Sequence, residues 1–255
     1  MIKYIMIRQK FIKEQITNTQ NNNISKIKNH FLLVRHGESI WNHDSKFTGW
    51  TNIPLTDKGR HEAYQIGQIM LYYKLFPNLI FTSVLQRAVE SSNIIKTQLP
   101  LVNMPIYTSW RLNERHYGQL EGVPRKHIRE IYGDKFTKML RSNFYIRPPT
   151  NINYNLSNEY PIFKNCYYKK IMNGESKENV LERLLPYYEN DILSSLLERN
   201  FPLIVTHKHT ARVLMKHLLK INDADFEQYE IPSNKMLYIS LDDNLNYQSH
   251  EEIPY

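Results

Sequence analysis

Short, wholly apolar runs alternate with longer segments whose apolar residues recur at helical spacing, and this alternation limits the fold more than any other feature. The run 203–205 is apolar throughout, which is typical of a strand buried on both faces of a parallel sheet. Similar runs occupy 31–34, 79–81, 106–107 and 237–241. Strands that alternate with helices predict an α/β fold with a mostly parallel sheet and helices on both faces.

Helices are predicted over about 56–75, directly after the run 79–81, over 178–199 and over 211–219. The apolar face of the first helix contains Ala63, Ile66, Met70 and Tyr73. Either Thr56 or Asp57 is a suitable N-cap for it. In the third helix we expect Pro186 to start or kink part of the segment.

Two segments depart from the alternation. Residues 120–175 are rich in Tyr, Asn, Pro and charged residues, which predicts a long insertion over the carboxyl edge of the sheet. Residues 1–29 carry six Lys or Arg against one acid, Glu14, and predict a flexible basic extension or, alternatively, an organelle-targeting segment. Residues 30–255 are therefore expected to form one catalytic domain.

The basic residues, which give a formal net charge of +8, are spread along the chain without a nucleic-acid recognition motif. A small polyanionic substrate would explain the charge equally well. No run approaches the roughly 20 apolar residues that a membrane helix needs, and the single cysteine, Cys166, suits a reducing compartment. We expect no nucleic-acid or membrane partner and a cytoplasmic location, with an organelle as the alternative.

Two histidines follow predicted strands. His36 comes directly after Arg35 at the end of one strand, and His207 lies one residue beyond the run 203–205. Ligands of open α/β sheets bind beyond the carboxyl ends of strands, so neighbouring strands would bring the two imidazoles together. With the guanidinium groups of Arg35 and Arg87, the pattern indicates phosphoryl chemistry. A packed or solvated histidine remains the alternative for either residue alone.

Five blocks in order, RHGESIWN, FTGWTNIPLTDKG, TSVLQRA, LNERHYGQLEG and GES, resemble the cofactor-dependent phosphoglycerate mutases of the histidine phosphatase superfamily. The resemblance runs from about residue 31 to 241. It implies a phosphoglycerate mutase-like fold and an isomerase of glycolysis that interconverts 3- and 2-phosphoglycerate through a phosphohistidine. It also implies priming by 2,3-bisphosphoglycerate and no metal, and it leaves a homodimer open because family members are often dimers.

The resemblance assigns a role to each matching position. His36 would be the nucleophile, His207 would complete the phosphate pocket, and Glu114 would donate and accept the proton of the substrate oxygen. The expected phosphate and substrate contacts are Arg35, Asn42, Thr48, Gly49, Arg87, Arg115, Tyr117, Arg125, Arg141, Lys208 and His209. For Tyr117 and Glu114 the alternatives are packing and an ion pair with Arg115.

The chain departs from the family at several of these positions. His207-Lys208-His209 replaces His-Gly-Asn, Ser142 replaces the second of two adjacent arginines, and Arg125 replaces a lysine. A charge-assisted hydrogen bond is worth roughly 1.5–3 kcal/mol, so the loss at 142 would weaken carboxylate binding about ten- to a hundredfold. Lys126 or Arg147 is a candidate to compensate. A metal bound by His207 and His209 is disfavoured because no acidic cluster accompanies them.

Three functions are therefore in competition. The first is the mutase, and the second is a metal-independent phosphatase of small phosphorylated metabolites, which a looser carboxylate site would favour. The third is an inactive binding protein, against which the retention of His36, Glu114 and His207 argues. For both enzymes His36 must be neutral, and we expect Arg35 and Arg87 to lower its pKa, with phosphoryl uptake falling below about pH 6.

Overall fold

The structure is a computed structural model that describes residues 29–101, 103–148, 174–232 and 234–255. The basic segment 1–29, apart from its last residue, lies outside the described residues, as do Cys166 and the part of the predicted insertion from 149 to 173.

The described chain alternates strands and helices. Its elements are β1 (Asn29–Arg35), α1 (Ile40–His43), α2 (Asp57–Tyr73), β2 (Leu79–Thr82), α3 (Gln86–Thr97), β3 (Ile106–Thr108), α4 (Arg125–Ser142), α5 (Lys177–Tyr187), α6 (Ser194–Leu197), β4 (Pro202–Thr206), α7 (Lys208–Leu219), α8 (Asp223–Phe226), β5 (Lys235–Leu241) and β6 (Tyr247–Pro254). Two 3₁₀ turns cover Trp110–Leu112 and Gly118–Leu120, and a π-helical turn, Tyr188–Leu193, joins α5 to α6.

Six strands form one sheet in the order β3-β2-β4-β1-β5-β6. The pairings β3-β2, β2-β4 and β4-β1 are parallel, whereas β5 and β6 pair antiparallel. The predicted α/β fold with a mostly parallel sheet is confirmed, and the strands 31–34 and 203–206 are neighbours. The sequence analysis missed β6, because this edge strand is largely exposed and its sequence YQSHEEIP contains no apolar run.

Helices cover both faces of the sheet, as predicted. Phe31 and Leu33 of β1 pack in a core that includes residues of α5 and α7. Leu32 and Val34, which alternate with them, pack in a second core that includes residues of α2 and α3. Because successive side chains of a strand point to opposite faces, four consecutive apolar residues place β1 between two helical layers.

Helix α2 begins where the sequence indicated. Thr56 is its N-cap, and the Thr56 hydroxyl accepts a hydrogen bond from the Gly59 amide at 3.0 Å. A Cβ added to Gly37 would lie 2.0 Å from the Gly59 carbonyl oxygen. Glycine at both positions therefore lets the loop after β1 pack directly against the start of α2.

Two helices differ from the prediction. The segment through Pro186 is helical from residue 177 to 197, and the helix changes to π-helical geometry at Tyr188 after the proline. Helix α7 begins at Lys208 rather than at Ala211, with His207 as its N-cap. The prediction began late because residues 208–210 are polar and do not contribute to the apolar spacing. The earlier start places Lys208 and His209 in the first helical turn.

The described part of the insertion is helical. Helix α4 is interrupted at Gly133, where φ is 80° and ψ is 165°. This left-handed conformation favours glycine, so the interruption is encoded locally. It divides α4 into a first part that begins at Arg125 and a second part that ends at Ser142. Among the described residues, no helix combines the length and apolarity that a membrane span requires.

Candidate active site

The two strand-end histidines meet at the carboxyl edge of the sheet. In the register of β1 and β4, Arg35 pairs with Thr206, and the His36 amide donates to the Thr206 carbonyl at 2.9 Å. The imidazole centroids of His36 and His207 are 4.7 Å apart, with ring planes inclined by 60°. The predicted convergence of these two side chains is confirmed.

Hydrogen bonds fix the orientation of the His36 ring. Nδ1 lies 2.6 Å from the Gly37 carbonyl oxygen, which can only accept, so Nδ1 carries a proton. The guanidinium of Arg87 donates from Nε to His36 Nε2 at 3.3 Å. In the neutral ring, Nε2 is therefore the atom that carries the lone pair, and in this structure the lone pair accepts the long hydrogen bond from Arg87.

Both imidazoles are held neutral. Burial, followed by the charges of Arg87 and Arg35, holds the pKa of His36 well below its usual value of 6.5. Burial also holds the pKa of His207 well below this value, with Arg87 as the next cause. A neutral imidazole is a nucleophile, whereas an imidazolium is not. The site can thus keep His36 reactive in neutral solution.

His207 is oriented by a residue that the sequence analysis did not assign to the site. His207 Nε2 lies 2.7 Å from the Ser83 hydroxyl, which follows β2. Ser83 Oγ accepts from the Leu85 amide at 3.2 Å, which leaves its own proton free to bond Nε2. Within the described structure, His207 Nδ1 is buried without a hydrogen-bond partner. Such a group is commonly completed by a ligand. Ser83 could have been identified from its place in TSVLQRA, at the end of a neighbouring strand.

The FTGW turn holds the arginine beside His36. Arg87 donates from Nη1 to the Thr51 carbonyl at 3.0 Å and from Nη2 to the Gly49 carbonyl at 2.7 Å. Arg35 donates from Nη2 to Asn42 Oδ1 at 2.9 Å. Arg35 Nε is buried and has no partner among the described residues. The two guanidinium groups are thus pre-oriented, and one retains a free donor.

Glu114 contributes a carboxylate to the same region. Its side chain is only 8% exposed, and Oε1 accepts from the Arg115 amide at 2.7 Å. Oε2 lies 3.5 Å from the His209 amide, in the first turn of α7. No side-chain cation is bonded to this carboxylate within the described structure, and Arg115 contacts it only through its backbone. The carboxylate is therefore placed to exchange a proton with a ligand.

A buried ion pair holds the Glu114 segment. Arg183 of α5 donates from Nε to Glu175 Oε1 at 2.7 Å, and both side chains are fully buried. The same guanidinium donates to the Glu114 carbonyl at 3.0 Å, and Glu175 Oε2 accepts from the His116 amide at 2.9 Å. The sequence analysis quoted Glu175 only within GES and missed Arg183. The signal was available, since Arg183 lies between Val180 and Leu184 on the apolar face of a helix.

These groups surround one cavity. It is lined by Arg35, His36, Asn42, Phe47, Thr48, Gly49, Arg87, Glu114, Tyr117, Arg125, Arg141, Lys208 and His209. Five of these residues are basic, and Glu114 is the one acid among them. A cavity with this charge suits a ligand that carries several negative charges. Phe47 was not predicted.

Two predicted site residues do not line the cavity. His207 is not among the lining residues, although its ring lies against that of His36, which is. Arg115 is buried, and its guanidinium donates to the carbonyls of Glu175, Leu140 and Ile146, each at 2.6 Å. These contacts occupy all three guanidinium nitrogens. The Arg115 guanidinium therefore supports the backbone around the site instead of facing the cavity.

The residues that depart from the family pattern differ in their contact with the cavity. The hydroxyl of Ser142 donates to the Lys138 carbonyl at 3.0 Å and does not line the cavity. Lys126 and Arg147, the two candidates to compensate, are exposed and do not line it either. Lys208 does line it, and its amine forms an ion pair of 2.6 Å with Glu230. Relative to the family pattern, the additional cation that lines the cavity is therefore Lys208 of α7 and not Lys126 of α4.

His209 is bonded to another wall of the cavity. Its Nε2 lies 2.8 Å from the Tyr117 hydroxyl. Burial, followed by the charge of Lys177, holds the pKa of His209 well below 6.5. Among the described residues, no group of three or more His, Cys, Asp or Glu is arranged to hold a metal ion. His209 is therefore a neutral hydrogen-bonding residue beside Tyr117.

Comparison with known proteins identifies the family. A family model described as "Histidine phosphatase superfamily (branch 1)" matches residues 31–247. Relatives named 2,3-bisphosphoglycerate-dependent phosphoglycerate mutase are 34% identical over 220 residues in Hydrogenobaculum sp. (strain Y04AAS1) and 36% identical over 221 residues in Haemophilus influenzae (strain PittGG). Each alignment covers 86% of this chain, with 89% and 97% of the respective relatives.

Solved structures agree on the fold. A mycobacterial glucosyl-3-phosphoglycerate phosphatase in complex with VO3 has a TM-score of 0.67 at 20% identity, over 89% of this chain and 98% of its own. Bacillus stearothermophilus YhfR has a TM-score of 0.63 at 24% identity, over 86% and 94%. At these identities the likeness supports the fold alone. The sequence relatives are more specific: this chain belongs to the histidine phosphatase superfamily, in the family of the 2,3-bisphosphoglycerate-dependent phosphoglycerate mutases.

Proposed function

We propose that this protein is a phosphoglycerate mutase that interconverts 3- and 2-phosphoglycerate through phosphorylated His36. The observation that carries the proposal is the 4.7 Å approach of the His36 and His207 rings beside a cavity with five basic residues and Glu114. The relatives at 34–36% identity, which are named as such mutases, support the same reaction. The substrate would be a small phosphorylated sugar acid.

The cavity residues fit 2,3-bisphosphoglycerate as the priming phosphate donor. This molecule carries two phosphates and a carboxylate, and the cavity offers Arg35, Arg87, Arg125, Arg141 and Lys208 to them. The buried Arg35 Nε and His207 Nδ1, which have no partner in the described structure, are donors that phosphate oxygens can satisfy. When bound, bisphosphoglycerate supplies the phosphoryl group that primes His36.

In the phosphoryl step, His36 Nε2 forms a bond to phosphorus while the bond from phosphorus to the substrate oxygen breaks. The Nδ1 proton stays on the ring, where the Gly37 carbonyl accepts it. Arg35 and Arg87 balance the charge that develops on the phosphoryl oxygens. Because these guanidinium groups are already held by Asn42 and by backbone carbonyls, little reorganisation is needed at that moment.

Glu114 manages the proton of the substrate oxygen. When the oxygen leaves phosphorus, the Glu114 carboxyl group gives it a proton, since an alkoxide leaves poorly. In the return transfer to the neighbouring hydroxyl, the Glu114 carboxylate takes that proton and the bond from His36 to phosphorus breaks. One carboxyl group therefore serves both directions, and protons balance over the cycle.

The proposal is tested by two parallel assays on the same protein. Formation of 2-phosphoglycerate is followed by coupling to enolase, and release of inorganic phosphate is followed separately, each with and without 2,3-bisphosphoglycerate. We expect 2-phosphoglycerate formation that depends on the bisphosphate and exceeds phosphate release. Rapid phosphate release without 2-phosphoglycerate would instead establish the phosphatase alternative.

A separate labelling experiment tests whether the protein is an inactive binding protein. Incubation with labelled bisphosphoglycerate should label the wild type and not His36→Ala. An unlabelled wild type, or label that survives in His36→Ala, would reject both enzymatic functions. We expect the protein to act in the cytoplasm, with an organelle as the alternative location and a homodimer as the expected assembly if it is not a monomer.

A further inference from the structure

The end of helix α4 is surrounded by buried basic side chains. The last carbonyl groups of a helix have no partner within the helix and need one elsewhere. Here the Leu140 carbonyl accepts from Arg115 Nη1 at 2.6 Å, and the Arg141 carbonyl accepts from Arg212 Nη1 at 3.1 Å. Just beyond the helix, the Asn143 carbonyl accepts from Lys177 Nζ at 2.8 Å. The guanidinium charges of Arg115 and Arg212 at this end also interact favourably with the helix dipole.

The three basic side chains are unusual for their burial. Arg115, Lys177 and Arg212 are each 0% exposed. Each comes from a segment that also supplies a site residue or its support: Arg115 follows Glu114, and Arg212 lies on α7 with Lys208. Lys177 begins α5, which carries Arg183. The contacts therefore tie α4 to three separate parts of the site.

What this end of α4 presents to the cavity is Arg141. The interruption at Gly133 separates it from Arg125, which lies at the start of the helix. The start is held independently, because the Arg125 amide donates to the Ser45 carbonyl at 3.0 Å and Lys46 forms an isolated bridge with Pro124. The two arginines of one helix are thus positioned by different contacts.

We propose that Lys177, together with Arg115 and Arg212, positions Arg141 in the substrate cavity by holding the carbonyl oxygens at the end of α4. These three are positioning residues, since none of them lines the cavity. The inference rests on the proposed function in one respect: the ligand group that Arg141 meets is the carboxylate of phosphoglycerate.

Lys177 is the residue whose replacement can distinguish a role in positioning Arg141 from a role in stability. A buried amine costs desolvation, and burial lowers the pKa of Lys177 to about 6. Replacement by methionine keeps all but the last atom of the side chain and removes this cost, which offsets the lost hydrogen bond, so we expect Lys177→Met to fold. The variant would lose the hydrogen bond from Lys177 that holds the Asn143 carbonyl.

The test is a double-mutant cycle on the affinity for 3-phosphoglycerate, measured by calorimetry without bisphosphoglycerate. We expect Arg141→Ala to raise Kd about ten- to a hundredfold and Lys177→Met to raise it at least about threefold. Lys177→Met should have no further effect in the Arg141→Ala background, because the lysine acts through that arginine. Arg125→Ala is the matched control, and its effect should add to that of Lys177→Met.

Two further readouts exclude a general structural effect. Hydrolysis of p-nitrophenyl phosphate, which has no carboxylate, should be unchanged in Lys177→Met because His36 and Arg87 are held by other contacts. Lys177→Gln, which keeps an N–H donor, should recover part of the affinity and serves if the methionine variant does not fold.

Additive effects of Lys177→Met and Arg141→Ala, or equal losses on both ligands, would overturn the proposal. A wild type that binds 3-phosphoglycerate and forms no 2-phosphoglycerate would instead overturn the proposed function, while the binding cycle still decides the positioning.

Discussion

Arg87 Nε lies 3.3 Å from His36 Nε2, so the guanidinium that we propose to bind phosphoryl oxygens contacts the atom that we propose as the nucleophile. The contact has two consequences. The hydrogen bond from Arg87 holds the neutral His36 ring in its orientation. The charge of Arg87 also opposes protonation of Nε2. Both consequences can be measured.

The first prediction concerns the pH dependence of His36 phosphorylation. Burial is the largest cause of the lowered pKa, ahead of Arg87 and Arg35, so neutral His36 should persist well below pH 6.5. The sequence analysis, which considered only the charges, expected the decline near pH 6, and we now expect it at lower pH. Arg87→Met should move the decline towards higher pH, because one source of the lowered pKa is removed. Label uptake from bisphosphoglycerate between pH 4.5 and 8 measures this, and a decline at the same pH in both proteins would contradict it.

The second prediction compares two neighbours at the end of α4. Arg141 lines the cavity, whereas the Ser142 hydroxyl bonds the Lys138 carbonyl. Arg141→Ala should raise KM for 3-phosphoglycerate about ten- to a hundredfold, which corresponds to one lost charge-assisted hydrogen bond. Ser142→Ala should leave KM within about twofold. A large effect of Ser142→Ala in steady-state kinetics would show that the serine contacts substrate after all.

The third prediction concerns the Lys208–Glu230 ion pair. Lys208 lines the cavity, and its amine is paired at 2.6 Å with the half-exposed Glu230 carboxylate. Glu230→Gln should free the amine for a substrate anion and lower KM by about two- to fivefold, because exposed pairs are worth about 1 kcal/mol or less. The difference should shrink at high ionic strength. An unchanged KM at low salt would indicate that Lys208 does not reach the substrate.

The fourth prediction concerns stability and Lys177. With a folded pKa of about 6 and an unfolded pKa of about 10.4, the unfolded chain binds more protons at any pH between these values. The free energy of unfolding should therefore rise with pH through this window, by up to about 1.4 kcal/mol per pH unit from this group. Lys177→Met should lack this contribution. Urea unfolding at pH 7, 8 and 9 gives the difference, and parallel pH dependences in the two proteins would contradict it.

The fifth prediction concerns the buried pair of Arg183 and Glu175. Removing one partner leaves an uncompensated charge, so Arg183→Met should lower the free energy of unfolding by about 3–5 kcal/mol. Adding Glu175→Gln should restore part of this loss, because the buried charge is then removed as well. Denaturant unfolding of the single and double variants measures both effects. A double variant less stable than Arg183→Met would mean that the backbone contacts of Glu175 dominate.

Local sequence patterns were sufficient for much of the fold. Apolar runs predicted the buried strands because a strand between two helical layers needs apolar side chains on both faces. The edge strand β6 could not be found in this way because it is largely exposed, and the start of α7 could not because its buried residues His209 and Thr210 are polar. Apolar periodicity detects only buried apolar residues. Strand β6 is held by pairing with β5, and the start of α7 contacts Glu114 and Asn113.

For the site, the sequence by itself determined which groups are present: two strand-end imidazoles, their guanidinium neighbours and one carboxylate at a fixed place in a recognisable block. Only the tertiary structure decided what each cation contacts. The sequence predicted the same substrate-binding role for Arg115 and Arg141. In the structure Arg115 donates to three backbone carbonyls, whereas Arg141 lines the cavity. The physical reason is that the carbonyl groups that Arg115 contacts belong to segments far from it in the sequence. These segments meet Arg115 only when the chain has folded.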